Sequence, residues 1–143
     1  MGLDPKIWGP HYWFFLHTVA LSYPRTPNEV TRKKYYDFIQ NFPLFIPIED
    51  IGNTFSKLVD KYPVTPYLDS RDSFTRWVHF IHNKINVALK LPELTMDQAM
   101  ASYYECYKPK VVKDKDTRRF REKMVFAGFV SAILITCAFL YNK

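Results

Sequence analysis

An all-α fold is what this sequence predicts: a bundle of four to five helices with a C-terminal transmembrane helix. Three observations carry the prediction. Apolar residues recur at three- and four-residue intervals through several long segments. Two stretches, Thr26-Pro27-Asn28-Glu29 and Thr95-Met96-Asp97-Gln98, read as capping boxes that start helices. No pair of alternating strands is readable anywhere in the chain. An apolar fraction of 48% with 17% aromatics supplies a packed interior, and 143 residues suffice for one domain.

The first helix is expected over 4–23, with Ile7, Trp8, Tyr12, Phe15, Leu16, Val19 and Ala20 on its apolar face. Tyr23-Pro24 ends it, because a residue before proline is pushed out of the helical region. The second helix follows the first capping box, with Pro27 at its first position, and runs to about Asn41. It turns Val30, Tyr35, Phe38 and Ile39 inward. Pro43 and Pro47 frame a short loop before a third helix over 48–61, bearing Ile51, Phe55, Leu58 and Val59. Residues 62–70, with Pro63 and Pro66, form a connector, and the fourth helix spans about 72–90. The fifth, short helix runs from the second capping box to about Tyr104.

The last element differs in kind. Residues 124–141 hold eighteen residues without a charge, against the ~20 that cross a bilayer. A buried core helix is one reading. The basic stretch before it, with Tyr141 and Asn142-Lys143 after it, favours a membrane span. Residues 108–123 carry a surplus of five positive charges out of a net +6, so the remainder is close to neutral and no basic face for nucleic acid is indicated. The positive-inside rule then puts the globular part on the cytoplasmic face of a single-pass C-terminal anchor, with the basic segment beside anionic headgroups. The expected division is a helical domain at 1–107, a basic juxtamembrane segment at 108–123 and an anchor at 124–141. No N-terminal signal peptide is readable, and Lys6 after Gly2 does not suit myristoylation.

Several chemistries are excluded. Four glycines form no phosphate-cradling loop. Two cysteines, Cys106 and Cys137, make neither a disulfide framework nor a four-cysteine zinc site. The four histidines (His11, His17, His79, His82) lack thiol or carboxylate partners at ligand spacing, so no metal is expected.

The polar feature that stands out is His82-Asn83-Lys84-Ile85-Asn86. His82 and Asn86 share a helical face with Trp77, Val78, Ile81, Ile85 and Leu89, and must find hydrogen-bond partners there. A self-satisfied pair within a helical core would account for them alone.

Together with the first helix, the stretch gains meaning. Trp8-Gly9, Trp13, Leu16-His17 and Tyr23-Pro24 resemble the opening helix of the Erv/ALR family of FAD-dependent sulfhydryl oxidases. His82-Asn83-Lys84-Ile85-Asn86, followed by Leu89 and Pro92, resembles that family's HNxVN helix, with Trp77 in the aromatic position ahead of it. Pro47 falls where the family has a proline heading its third helix, and the likeness covers roughly residues 8–94. The resemblance implies a small helical bundle that holds FAD noncovalently, usually as a homodimer. It assigns Gly9, Trp13, His17, Tyr23, His82, Asn83 and Asn86 to the flavin pocket; Lys90 and Lys84 are the candidates to reach the pyrophosphate, since the family's basic residue after HNxVN does not align cleanly here. Aromatic faces suit flat rings, and His and Asn supply directional hydrogen bonds.

The chain departs from the family at its reactive centre. Where the family carries a CxxC just after that proline, this sequence reads Ile48-Glu49-Asp50-Ile51. Isoleucine has no nucleophilic lone pair and no redox chemistry, so no catalytic residue is assigned. The family's further cysteine after Pro92 is replaced by Leu94, Thr95 and Met96, and Cys106 is expected to be inert. The favoured reading is a non-catalytic, membrane-anchored structural or interaction component, of the sort a large DNA virus would place between its inner membrane and capsid. Tyr103, Tyr104 and Tyr107 would then face capsid proteins. The alternatives are a FAD-linked thiol oxidase fed by a partner's cysteines, and an anchored protein without ligand.

Overall fold

The computed structural model describes residues 3–141, and every regular element in that range is helical. Helix α1 (Pro5–Leu21) starts where the Asp4 carboxylate accepts the Lys6 N–H at 2.9 Å and Pro5 takes the first position. Helix α2 (Glu29–Asn41) is capped by Asn28, whose side chain accepts from Thr31 N–H at 2.8 Å. The cap therefore falls two residues later than Thr26, and Pro27 precedes the helix instead of opening it. A 3₁₀ turn at Phe42–Phe45 leads to α3 (Glu49–Lys61), and a second at Thr65–Tyr67 leads to α4 (Arg71–Ala88). Ser70 caps α4 through Ser73 N–H. The capping box of α5 (Met96–Glu105) forms reciprocally: Thr95 N–H donates to Gln98 Oε1 at 2.9 Å and Gln98 N–H to Thr95 Oγ1 at 3.2 Å.

Residues up to Tyr103 form one compact unit, organised on the packing of α1 and α3 against α4. Leu16, Ala20 and Tyr23 meet Phe55 and Val59 from α3 and Phe74, Trp77, Val78, Ile81 and Ile85 from α4. Each such aliphatic or aromatic side chain contributes about 1.5–3 kcal/mol on burial. Trp77 keeps its indole N–H satisfied at Tyr62 O, 2.9 Å away. Helix α5 is tied to α1 by a 3.0 Å hydrogen bond between Thr18 and Tyr103 and by the Tyr103 ring stacked on Phe14. Val30 and Ile7, expected to face inward, are exposed: each stands in the first turn of its helix, beyond the reach of a packing partner.

Residues from Tyr104 form the second unit, built on α6 (Lys110–Tyr141). The basic segment and the apolar segment are one continuous 32-residue helix. Its ion pairs are Lys108 to Glu105 at 2.7 Å, Lys108 to Asp116 at 3.7 Å and Arg118 to Glu122 at 3.0 Å.

The membrane expectations need correction. Among the described residues, no helix is long and apolar enough to cross a membrane. The first part of α6 is charged through Lys123, and the eighteen uncharged residues that follow, Ser131 and Thr136 among them, extend only ~27 Å at ~1.5 Å per residue, against a hydrocarbon core of ~30 Å. The single-pass C-terminal anchor at 124–141 and the cytoplasmic-face placement of the helical domain are therefore not supported. The expected tyrosine face changes as well. Tyr104 and Tyr107 are exposed, whereas Tyr103 is buried, because its ring and hydroxyl are both used to dock α5. Gly2 and Asn142-Lys143 lie outside the described residues.

Candidate functional site

The site grows from two helices that each place polar side chains against an apolar neighbour. On α1, Gly9, Trp13 and His17 recur every four residues and share one face. On α4, His79, His82, Asn83 and Asn86 form a second row. Where the rows meet, the Trp13 and His82 rings stack with centroids 3.9 Å apart and planes 12° from parallel. His17 Nε2 lies 3.2 Å from His82 Nδ1, so the two imidazoles share a proton between them.

Beside this stack, a narrow apolar cleft of about 50 Å³ lies between α1, the Phe42–Phe45 turn, α3 and the end of α4. Gly9, Trp13, Ile51, Phe55, Ile85 and Leu89 are among its walls. Ile51 faces the cleft, while Ile48 is the residue before α3, half-buried, with its carbonyl bonded to Gly52 N–H at 2.9 Å. Glu49 and Asp50 fill the first turn of α3, a favourable place for carboxylates at the positive end of a helix.

The electrostatics of the histidines follow from burial. Desolvation, with a smaller repulsion from His79, holds His17 down at about 4; desolvation, then His17 and His79, holds His82 at about 3. Burial also lowers His79, against a smaller raising contribution from a hydrogen bond with the Leu94 backbone. All three are neutral imidazoles at pH 7. Two ring nitrogens, His17 Nδ1 and His79 Nδ1, are buried without any protein partner.

The expected pocket residues are distributed unevenly. Gly9 and Trp13 line the cleft, and His17 and His82 adjoin it. A Cβ added at Gly9 would meet nothing within 4 Å. Asn83 instead grips the segment after α4: its amide donates to Leu94 O at 2.8 Å and accepts Leu94 N–H at 3.0 Å. Asn86 is buried and donates to Pro92 O at 3.3 Å. Tyr23 is fully buried elsewhere, its hydroxyl donating to Leu68 O at 2.7 Å and its ring edge-on to Tyr35 and Phe74. Lys84 lies over the Phe80 ring and Lys90 is exposed. Among the described residues no cluster of three His, Cys, Asp or Glu is set to hold a metal. Sequence reasoning gave His79 no role in the site, although it stands three residues before His82 on the same face.

The chain is similar to known proteins in sequence and in fold. The model of the Erv1 / Alr family matches residues 10–105. “Probable FAD-linked sulfhydryl oxidase R368” of Acanthamoeba polyphaga mimivirus is 31% identical over 109 residues, covering 76% of this chain and 76% of the relative. The mitochondrial FAD-linked sulfhydryl oxidase erv1 of Schizosaccharomyces pombe is 31% identical over 84 residues, 59% of this chain and 46% of that protein. Among solved structures, the FAD binding domain of Erv1 from Saccharomyces cerevisiae superposes with a TM-score of 0.64 at 26% identity, over 72% of this chain and 96% of that one.

Proposed function

The chain belongs to the Erv1 / Alr family, and from that premise we propose that it is a flavin-binding member without thiol oxidase activity of its own, acting as a structural or interaction component. One observation carries the reading: the sequence holds no CxxC, and Ile48 and Ile51 occupy the start of α3 where the family's dithiol would stand. The two cysteines present, Cys106 and Cys137, lie beyond that helix and do not replace the pair.

The residues suit FAD by their chemistry. Trp13 and Phe55 offer aromatic surface, Gly9 leaves open space on α1, and two buried imidazole nitrogens await partners. A tricyclic ring exceeds the volume of the cleft, so its entry requires wall side chains to turn aside. Trp13, a wall residue, is half-buried. FAD, when bound, supplies a two-electron acceptor. This chain contributes no thiolate to feed it: Ile51 sets branched hydrocarbon against the Trp13 and Phe55 side of the cleft and excludes water there. A homodimer and a virion partner belong to the same proposal, supported by the dimeric habit that the family resemblance implies and by the viral origin of relatives.

The test is spectroscopic first. The purified chain should carry flavin absorbance that denaturation releases, and should consume no oxygen with dithiothreitol. Ile48→Cys with Ile51→Cys should then create measurable thiol oxidation. Oxygen consumption by the unmodified chain at rates comparable to the double cysteine variant would refute the non-catalytic reading. A colourless chain that takes up no added FAD would refute flavin binding.

A further inference from the structure

Helix α6 is charged along its first part and apolar along its last, and the apolar part is uncovered. Val125 is 69% exposed, Phe129 65% and Leu140 65%. At about 150–250 Å² for an aromatic side chain, and less for an aliphatic one, the uncovered apolar surface of residues 124–141 comes to roughly 1,000 Å². Single chains rarely leave a patch beyond about 300–600 Å² in water, whereas a stable pairing of proteins uses about 800 Å² from each partner. Among the described residues no helix is long and apolar enough to cross a membrane. The segment also lies outside residues 10–105, so the family likeness does not extend to it.

Several features of the segment fit it to a second copy of itself. Its two aliphatic hydroxyls are spent inside the helix: Ser131 donates to Ala127 O and Thr136 to Ala132 O, each at 2.9 Å, so neither needs a polar partner. Val125, Phe129, Ala132, Thr136 and Leu140 recur at three- and four-residue steps and share one seam. An antiparallel copy centred between Ala132 and Ile133 sets Phe129 opposite Thr136 and Val125 opposite Leu140, a larger side chain against a smaller one each time. The seam begins at a concave strip of about 660 Å³ walled by Arg118, Arg121, Glu122, Val125, Phe126 and Phe129, and the Leu140 end of the second copy comes to lie there. Arg118 and Glu122 on its rim are already paired with each other at 3.0 Å.

Charge selects the same orientation. Residues 108–123 carry a surplus of five positive charges, and in a parallel pair these lie side by side and repel. Antiparallel overlap of the apolar lengths alone sends them off opposite ends, ~27 Å apart, about three times the Debye length of ~8 Å at physiological salt. The helix dipoles then also oppose each other favourably.

We propose that α6 pairs antiparallel with α6 of a second copy of this chain, through the seam of Val125, Phe129, Ala132, Thr136 and Leu140. The contact is separate from any dimer of the helical unit and does not depend on flavin.

The experiment is sedimentation of the full-length chain in detergent-free buffer, for wild type, Phe129→Glu on the seam and Ser131→Glu on the far side of the helix. Wild type and Ser131→Glu should both sediment at about twice the mass of Phe129→Glu, as a two-fold pairing requires. Orientation is read by oxidative cross-linking in a background of Cys106→Ser and Cys137→Ser. Val125→Cys co-expressed with Leu140→Cys should give a disulfide-linked mixed pair, and neither variant alone should, since a disulfide needs Cα atoms within about 7 Å. Equal masses for wild type and Phe129→Glu overturn the pairing. So does equal dissociation by Ser131→Glu, which marks association without a seam. Cross-linking of a single variant with itself, without the mixed pair, overturns the antiparallel arrangement. A chain that floats with phosphatidylcholine vesicles and forms no cross-link in any combination assigns the surface to lipid and overturns the proposal.

Discussion

Gly52→Ala should destabilise the helical unit, although alanine is the better helix former. Gly52 is buried in α3, one residue after Ile51, where the helix presses on the turn that precedes it. A Cβ there would lie 2.8 Å from Pro43 O and 3.7 Å from Ile46 Cβ. The first contact is with backbone, so no side-chain rotation relieves it. Pro43 O also accepts Ile46 N–H at 3.2 Å, and Phe45 O accepts the Tyr12 hydroxyl at 2.9 Å, so displacing the turn disturbs its anchorage to α1. Replacing glycine within a helix gains about 0.5–1 kcal/mol. Overpacking against fixed atoms costs about 1–3 kcal/mol. The net expectation is a loss of about 1–2 kcal/mol, a fall in Tm of about 4–15 °C for a unit of this size. Circular dichroism melts of the two proteins, with urea midpoints as a second measure, decide it. A Tm equal to or above wild type would refute the reasoning, because helix propensity would then outweigh a contact that the turn had escaped.

Other outcomes follow from single features. Lys90 has φ 59°, the left-handed conformation that follows the end of α4, so Lys90→Gly should stabilise by about 0.5–1 kcal/mol after allowing for glycine's unfolded-state entropy, read as a raised urea midpoint. Asn83→Ala strands both Leu94 N–H and Leu94 O and should cost about 2–3 kcal/mol, with faster amide exchange at Leu94 as a local check. Acid should destabilise through the buried histidines. Their folded values of about 4 and about 3 lie below the ordinary ~6.5, so the unfolded chain binds more protons between those limits. Their contribution is complete above about pH 6.5 and is lost as pH falls toward 4, by several kcal/mol on the scale of about 1.4 kcal/mol per pH unit per group. Tm measured from pH 7 to pH 4 should drop, and His82→Asn should flatten that limb; a parallel slope in the variant would remove His82 as a cause.

Sequence periodicity alone was enough for the helical class and for the order of the elements. Their patterns are local: Leu16 and Ala20, or Phe55 and Val59, fall four apart because one face of a helix is buried. The Thr95–Gln98 box formed because its two hydrogen bonds join residues three apart. The absence of a CxxC is likewise a property of the sequence and needs no coordinates. Family membership was legible in the spacing of Trp8-Gly9, His17 and the His82–Asn86 stretch, and the match over residues 10–105 bears it out.

Only the tertiary structure decided what those side chains touch. His17 and His82 are 65 residues apart, and their 3.2 Å contact exists because α1 and α4 pack face to face. Asn83 read as a ligand group by type, and its amide also bonds a backbone segment eleven residues later. Tyr103 looked like a surface tyrosine, yet Thr18 and Phe14 hold it inside. The apolar run at 124–141 read as an anchor by composition, whereas the helix that contains it is not long and apolar enough to cross a membrane. The physical reason is common to these cases. Periodicity reports which face of an element leaves water, a property of neighbours in sequence. Which polar atom meets which partner depends on distances between elements, and these are set by packing of the whole unit.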